Sequence, residues 1–280
     1  MIDHAPKIVV DLLRMAVWLA VLAAVFAPLE RLFALHPQRT LRRQIAVDAG
    51  YYFLNGLAPA LVLGAPMAAV AVLSHRFMPG LVATVAAWPM WLRALAAMVV
   101  GETGYYWGHR LSHEIPLLWR FHAIHHSAEQ MDFMVSSRAH PVDFVWSRLW
   151  MLTPLFALGL VSPMRMTDGI IPVAILLVGS LWGFFVHANL RWRLGPFEWL
   201  LTTPGFHHWH HTMGLARNCN YASMLPWLDH VFGSHSLPKT WPAQYGVPEP
   251  VAESLAGQLA QPFLEPSGAR ASDAAASRRA

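Results

Sequence analysis

Long apolar stretches alternate with short charged segments over most of the chain. Four of these stretches approach the roughly 20 residues that a helix needs to cross a bilayer, and a fifth is borderline. The five cover residues 8–27, 46–73, about 82–107, 144–161 and 170–190. The last two are separated by a tight break at 162–165, which predicts a helical hairpin. The pattern therefore predicts an all-α fold, a polytopic membrane helical bundle.

The composition supports a membrane location. Hydrophobic residues make up 55% of the chain and charged residues only 13%, whereas a soluble domain carries about 25% charged residues. The net charge is +4, but the basic residues flank apolar stretches and form no continuous basic stripe, so nucleic acid is not expected as a partner. The single cysteine, Cys219, excludes an internal disulfide framework and any multi-cysteine metal site.

The distribution of arginine predicts the orientation, because short cytoplasmic segments are enriched in Lys and Arg. The arginines concentrate after the first, third and fifth apolar stretches: Arg31, Arg39, Arg42 and Arg43; Arg110, Arg120 and Arg138; Arg191, Arg193 and Arg217. The opposite segments hold little beyond Arg76 and Arg165. The first stretch ends in Pro-Leu-Glu and lacks a small-residue cleavage site, so we expect a retained helix in a multi-pass protein.

Histidines are concentrated in short motifs on the side predicted to be cytoplasmic. The chain has 16 histidines, and an H-x-x-x-H motif, two H-x-x-H-H motifs and a single histidine at the end of the fifth stretch account for many of them. These are His109 and His113; His122, His125 and His126; His207, His210 and His211; and His187. Positions i, i+3 and i+4 share one face of a helix, so each motif can direct its imidazoles together.

The number of histidines favours two metal ions over one. Imidazole binds zinc, copper, iron and nickel, and one zinc needs about four ligands, so the motifs exceed the capacity of a single site. Two metals with open positions beside a bilayer suit dioxygen activation better than a structural role. A single H-x-x-x-H motif could have a structural role, but a structural role is a poor explanation for the complete set of motifs. We expect His4, His36 and His75 to anchor at the interface, and His230 and His235 to be structural.

The motifs and their neighbours resemble the fatty acid hydroxylase / sterol desaturase superfamily over about residues 107–246. The resemblance rests on Gly-His-Arg-Leu-Ser-His at 108–113, Leu-Trp-Arg-Phe-His-Ala-Ile-His-His-Ser at 118–127, Ser-Arg-Ala-His-Pro at 137–141 and Thr-Pro-Gly-Phe-His-His-Trp-His-His-Thr at 203–212. It implies a histidine-box enzyme of the membrane, a non-haem di-iron oxygenase. Members hydroxylate, desaturate or cleave lipids such as sterols, fatty acyl chains and alkylglycerol ethers.

The resemblance also implies the metal ligands and the cofactors. The ligands fall on His109, His113, His122, His125, His126, His187, His207, His210 and His211. Some relatives have a further histidine at the position of Arg191, so the resemblance leaves open whether one metal has a vacant or water-filled position. Two iron ions are implied. Electrons would come from NAD(P)H through a separate ferredoxin or b-type cytochrome with its reductase, since the sequence shows no nucleotide fingerprint.

Several neighbouring polar residues are candidates for supporting the ligands or lining the substrate pocket. The candidates are His140, Glu102, His208, Asn220 and Asp229. Metal-bound imidazoles usually donate their second N–H to a carboxylate or carbonyl, so Asp143 is a further candidate partner for a ligand. His140 precedes a proline and is expected to be extended, off the helix. Glu102 either faces His109 or forms a salt bridge with an arginine such as Arg93 or Arg138.

We therefore expect three parts in the chain. Residues 1–105 form N-terminal transmembrane helices, residues 106–246 form the catalytic region with the hairpin at 144–190 and a cytoplasmic histidine-rich helical cap, and residues 247–280 form a disordered tail with a short helix near 251–259. The predicted function is the oxidation of a lipid C–H bond, by hydroxylation or desaturation. The alternative is a histidine-rich membrane protein that binds or transports metal without oxygenase activity, although its histidines would be expected along a path through the bilayer. A zinc hydrolase would require H-E-x-x-H, which is absent.

Overall fold

The computed structural model describes residues 6–39, 41–161, 170–214 and 217–264. These residues form ten α-helices and no β-sheet, which confirms the all-α prediction; two isolated bridges are the β pairing found among them. The helices are α1 (Lys7–Leu32), α2 (Ile45–Phe77), α3 (Pro79–Ala86), α4 (Met90–Glu114), α5 (Pro116–His126), α6 (Pro141–Ala157), α7 (Ile170–His187), α8 (Pro204–His210), α9 (Trp227–Phe232) and α10 (Leu255–Leu264).

Prolines and capping side chains set where the site helices begin. Helices α3, α5, α6 and α8 each start at a proline, whose fixed φ suits the first helical position and whose missing N–H would be unpaired there anyway. His140 precedes α6 in an extended conformation, as expected, and its side chain accepts from the Val142 N–H. Thr203 caps α8 in the same way by accepting from the Phe206 N–H.

Among the described residues, two helices are long and apolar enough to cross a membrane, namely α1 and α2. The third predicted span is two helices, because the chain breaks at 87–89 between α3 and α4. Pro89 explains the break, since the residue before a proline is disfavoured in the helical region. Helix α4 then continues past 107 to Glu114 and includes the first histidine motif. The predicted break at 162–165 lies outside the described residues.

The bundle is organised around α6, which packs against both α4 and α2. The approach to α4 is close, because a Cβ built on Gly104 would lie 2.2 Å from the backbone oxygen of Trp150. Helix α5 packs on α4, and α7 packs on α8 and on a 3-10 turn at Phe133–Ser137. Helices α4, α5, α7 and α8, which contain eight of the nine histidines and are followed at the end of α8 by the ninth, His211, are thus neighbours.

A buried ionic network joins the start of α2 to the segment between α5 and α6. Asp48 and Arg138 are fully buried, and the Nε of Arg138 donates to Asp48 at 2.6 Å. Arg42 bonds to both Asp48 and Asp132. Each buried charge therefore has an opposite partner, without which its burial would be strongly destabilising. Arg138, which the sequence offered as a partner for Glu102, instead pairs with Asp48.

The C-terminal segment also packs on the bundle. Helix α10 lies against α2 and α5, and its Gln258 is fully buried. The Leu259 carbonyl lies 3.1 Å from Nε2 of His140. Residues 265–280, the remainder of the tail predicted to be disordered, lie outside the described residues.

Candidate metal centre

The nine predicted ligands form two groups within which the ligand atoms all lie within 4.8 Å of one another. The five-histidine group contains His109, His113, His122, His126 and His210. The four-histidine group contains His125, His187, His207 and His211. The groups adjoin, since the rings of His126 and His211 stack with centroids 4.4 Å apart. All nine are buried except His113, which is partly exposed.

Each H-x-x-H-H motif is shared between the two groups. On α5 the i, i+4 pair His122 and His126 belongs to the five-histidine group, and His125 belongs to the other. At α8 the arrangement is reversed, because His207 and His211 belong to the four-histidine group and His210 to the five-histidine group. Successive helical residues point about 100° apart, so one motif can serve two adjoining sites. The interleaving fits a pair of metal ions.

The four-histidine group has the donor chemistry of a cation site. Nδ1 of His125 lies 2.7 Å from the Arg138 carbonyl, and Nδ1 of His187 lies 2.6 Å from the Gly183 carbonyl. A carbonyl only accepts, so each Nδ1 has the proton and each neutral ring has a lone pair on Nε2. The two Nε2 atoms face each other at 3.3 Å. Two facing lone pairs repel unless a cation lies between them.

The other members of this group complete the cage. Nε2 of His207 lies 3.0 Å from Nε2 of His187, and Nε2 of His211 lies 3.1 Å from Nε2 of His207. The four Nε2 atoms are therefore in reach of one ion.

The five-histidine group shows the same chemistry through unpaired nitrogens. Nδ1 of His109 donates to the Tyr221 carbonyl at 2.7 Å, and Nδ1 of His210 donates to the Cys219 carbonyl at 2.7 Å. The Nε2 atoms of His109, His113 and His210 are buried without a hydrogen-bond partner. Unpaired buried polar atoms are costly, and three of them converging on one point fit a metal ion.

One carboxylate contacts a histidine of this group on the nitrogen opposite the candidate ligand atom. Oδ2 of Asp143 lies 3.0 Å from Nδ1 of His122, and its Oδ1 accepts from the Ser112 hydroxyl at 3.2 Å. A carboxylate on the far nitrogen orients the ring and makes it a more basic ligand.

The loop at 219–222 supplies both carbonyls that hold His109 and His210, and two predicted residues brace it. Asp229 accepts from the N–H groups of Tyr221 and Ala222 at 2.7 and 2.9 Å. Asn220 has a φ of 59° and donates to the Phe206 and Ser236 carbonyls. Asparagine tolerates this left-handed conformation better than most residues. Both residues therefore act on the site through backbone and not by direct contact with the imidazoles.

Burial favours the neutral form of several clustered histidines, which is the form that a metal ligand needs. Burial, followed by the nearby His122, lowers the pKa of His125 to about 4. Burial and the neighbouring His109 hold the pKa of His210 well below its usual value. Both rings are thus free to donate a lone pair at neutral pH.

The remaining candidates lie outside both groups. His140 caps α6. His208 is fully buried and is held by the Tyr245 hydroxyl and the Ala188 carbonyl at 3.0 and 3.1 Å. Glu102 accepts a hydrogen bond from the Met224 N–H at 2.7 Å. It is not the partner of His109, whose Nδ1 donates to the Tyr221 carbonyl. Arg191, at the position of the further histidine in some relatives, is exposed.

A cavity of about 590 Å³ leads from the histidines into the bundle between α2, α4, α6 and α7. His109, His125 and His187 line one part of it. Leu95 also lines it, and lies fourteen residues before His109 on α4, which corresponds to about 21 Å along the helix. The cavity thus has the length of a lipid chain and ends at the metal-binding groups.

Sequence reasoning missed some residues of this site. Arg148 and Tyr105 line the cavity, and Asn218 lies 3.4 Å from Nδ1 of His113. Arg148 could have been found from the sequence, because a charged residue within an apolar stretch usually faces a functional interior. The carbonyls that hold the imidazoles belong to the backbone and give no sequence signal.

The sequence model of the fatty acid hydroxylase family matches residues 94–234, about half of the chain, including all nine histidines. The chain belongs to the fatty acid hydroxylase family. It is 35% identical to the ornithine lipid hydroxylase OlsE of Rhizobium tropici over 178 residues, 63% of this chain and 52% of that protein. It is 31% identical to the alkylglycerol monooxygenase of Xenopus tropicalis over 171 residues, 59% of this chain and 34% of that protein.

A third relative in the family is the methylsterol monooxygenase 2-2 of Arabidopsis thaliana, 26% identical over 152 residues, which are 52% of this chain and 54% of that protein. The chain therefore spans about half or less of the length of these fatty acid hydroxylase relatives. No solved structure matches it. The related proteins are lipid hydroxylases and monooxygenases, which are oxidoreductases.

Proposed function

We propose that this chain is a membrane-bound, non-haem di-iron oxygenase that hydroxylates or desaturates a C–H bond of a lipid. The observation that supports it best is the pair of adjoining all-histidine groups at the end of a lipid-sized cavity. The names of the relatives support the substrate class, which includes ornithine lipids, alkylglycerols and sterols. Metal transport is not favoured, because the histidines converge on two cages instead of lining a path.

The residues assigned to the metals are the five-histidine group for one ion and the four-histidine group for the other. When bound, two iron ions would supply the activation of dioxygen, with the overall hydroxylation consuming one dioxygen, two electrons and two protons and giving an alcohol and water. The carbonyls of Tyr221, Cys219 and Arg138 and the carboxylate of Asp143 hold the rings in position. The apolar walls of the cavity exclude water and align the lipid.

Electrons must reach the site from outside. We propose NAD(P)H as the source, through a separate ferredoxin or b-type cytochrome with its reductase. We further propose a multi-pass chain with the histidines on the cytoplasmic side, on the evidence of the arginine distribution. In intact cells, a membrane-impermeant maleimide should label Gly80→Cys and leave Leu41→Cys unlabelled. The reverse pattern would contradict this orientation.

The test of the oxygenase combines metal content with turnover. The purified full chain should contain two irons and, with reductant, a redox partner and the lipids named above, should form an oxidised lipid in an oxygen-dependent reaction. His125→Ala and His210→Ala each remove one ligand of a different group, so both should lower the iron content and abolish turnover.

His75→Ala is the matched control, because His75 is exposed and its hydrogen bond among the described residues stays within its own helix, to the Ala71 carbonyl. It should keep both irons and full turnover. Tightly bound zinc alone, with no lipid-dependent oxygen consumption, would show that the chain is not an oxygenase.

A further inference from the structure

The cavity contains a cationic side chain that the metal centre does not use. Arg148, on α6, lines it together with Glu102 and Tyr105 of α4. Most of the wall is apolar, so a guanidinium here is an exception to its surroundings. Charged residues inside a membrane protein are costly and usually mark a functional interior.

Arg148 has weak partners among the residues that the structure describes. Its Nη1 lies 3.6 Å from the sulfur of Met151, and the guanidinium lies 4.9 Å from the centroid of the Phe144 ring. None of the ion pairs found within the described residues includes Arg148. A guanidinium has five N–H donors, so the contacts found among the described residues leave most of its hydrogen-bonding capacity unused.

The nearby acid does not neutralise this charge by direct contact. Glu102 shares the cavity, but its Oε2 accepts from the Met224 N–H at 2.7 Å. That hydrogen bond ties the carboxylate to Met224, in the segment that follows the loop at 219–222. The guanidinium is left to a group that enters the cavity.

The depth of Arg148 places that group close to the metals. Arg148 follows Asp143, the partner of His122, by five residues on α6, which is about 8 Å along the helix. An acyl chain anchored there would have a carbon several bonds from its anionic group beside the histidines.

We propose that Arg148 binds an oxyanion of the lipid substrate, a carboxylate or a phosphate, and so selects which carbon faces the histidine groups. The selection of a reacting carbon by Arg148 rests on the proposed oxygenase function. The binding itself requires neither metal nor turnover. Three probes of equal chain length separate the sources of the charge: hexadecanoate presents a carboxylate, hexadecyl phosphate a phosphate, and hexadecan-1-ol neither.

The experiment measures apparent Kd from ligand-induced thermal stabilisation of the purified full chain in neutral maltoside micelles. The wild type should bind one of the two anions at least about tenfold more tightly than the alcohol, the scale of a charge-assisted hydrogen bond. Arg148→Met should lose this preference and Arg148→Lys should keep part of it. Arg76→Gln removes an exposed charge at the end of α2 and should behave as the wild type.

Two results would overturn the proposal. One is an anion preference that is absent in the wild type or unchanged in Arg148→Met. The other is a large loss of thermal stability in Arg148→Met that Arg148→Lys restores, which would show that this chain itself satisfies the charge. A chain that oxidises lipid without an Arg148-dependent preference would refute only this proposal. A chain with the preference but no oxygenase activity would refute only the proposed function.

Discussion

Each imidazole of the candidate metal centre has a second ring nitrogen, and where that nitrogen has a hydrogen-bond partner, the partner fixes the direction of the ring. Backbone carbonyls hold His109, His125, His187 and His210. His122 differs, because its partner is the buried carboxylate of Asp143. A backbone carbonyl only orients the ring, whereas a carboxylate also adds a negative charge. Asp143 should therefore affect metal affinity more than any neutral partner would.

We expect Asp143→Asn to weaken metal binding while the protein stays folded. The amide oxygen can still accept from Nδ1 of His122, but the negative charge that makes the ring more basic is lost. The affinity for the metal should fall about 10- to 100-fold, as measured by competition with a chelator. Asp11→Asn, which alters only an ion pair with the exposed Arg14, is the control. Equal affinity in the two variants would contradict a role of Asp143 in tuning the site.

The sequence predicts which histidines belong to the site but not how they divide. The i, i+4 spacing of His122 and His126 places both on one face of α5, and the structure keeps them in one group. The assignment of His125 to the other group depends on where His187 and α8 lie, and that is tertiary packing. Asp143 was a candidate from its position, whereas the Tyr221 and Cys219 carbonyls depend on a loop conformation that spacing does not determine.

Among the helices, the contact between α4 and α6 determines the geometry of the centre, because α4 contains His109 and His113 and α6 contains Asp143. The contact is close at Gly104, where a Cβ would lie 2.2 Å from the Trp150 oxygen and 3.3 Å from the Met151 Cα. Backbone cannot move aside as a flexible side chain can. The absence of a side chain at Gly104 is therefore needed for the two helices to approach.

Gly104→Ala should separate α4 from α6 and destabilise the protein. Overpacking of this kind costs about 1–3 kcal/mol, measured as a lower unfolding midpoint, and metal content should fall because Asp143 moves away from His122. Gly64→Ala is the matched control, since nothing lies within 4 Å of a Cβ at Gly64. A helix gains about 0.5–1 kcal/mol from alanine in place of glycine, so this variant should be no less stable than the wild type. Equal behaviour of the two variants would rule out the close approach.

The apolar pattern of the sequence predicts the long helices but not all of the residues at which they end. The long apolar stretches at 8–27 and 46–73 correspond to α1 and α2, which extend a few residues further. The stretch at 82–107 was predicted as one helix because hydropathy is continuous across Pro89, whose local geometry breaks it. Pro116 ends the next helical run at Glu114, so the first histidine motif stays on the same helix as Glu102.

In the molecule as a whole, the candidate metal centre brings together helices that are distant in sequence. The five-histidine group draws on α4, α5 and α8, and the four-histidine group on α5, α7 and the end of α8. Two ions bound there would cross-link these helices. Without them, facing lone pairs such as those of His125 and His187 at 3.3 Å repel each other.

Removal of the metals should therefore lower the stability of the entire bundle. A ligand that binds only the folded state stabilises it by about 4 kcal/mol when present at 1,000 times its Kd, so treatment with a chelator should lower the unfolding midpoint by several degrees. Re-addition of ferrous iron under anaerobic conditions should restore it. In the double variant His125→Ala/His210→Ala, which lacks a ligand in each group, the midpoint should start low and respond little to chelator. A wild-type midpoint that is indifferent to chelator, in protein shown to have lost its metal, would mean that the histidines are held by packing alone.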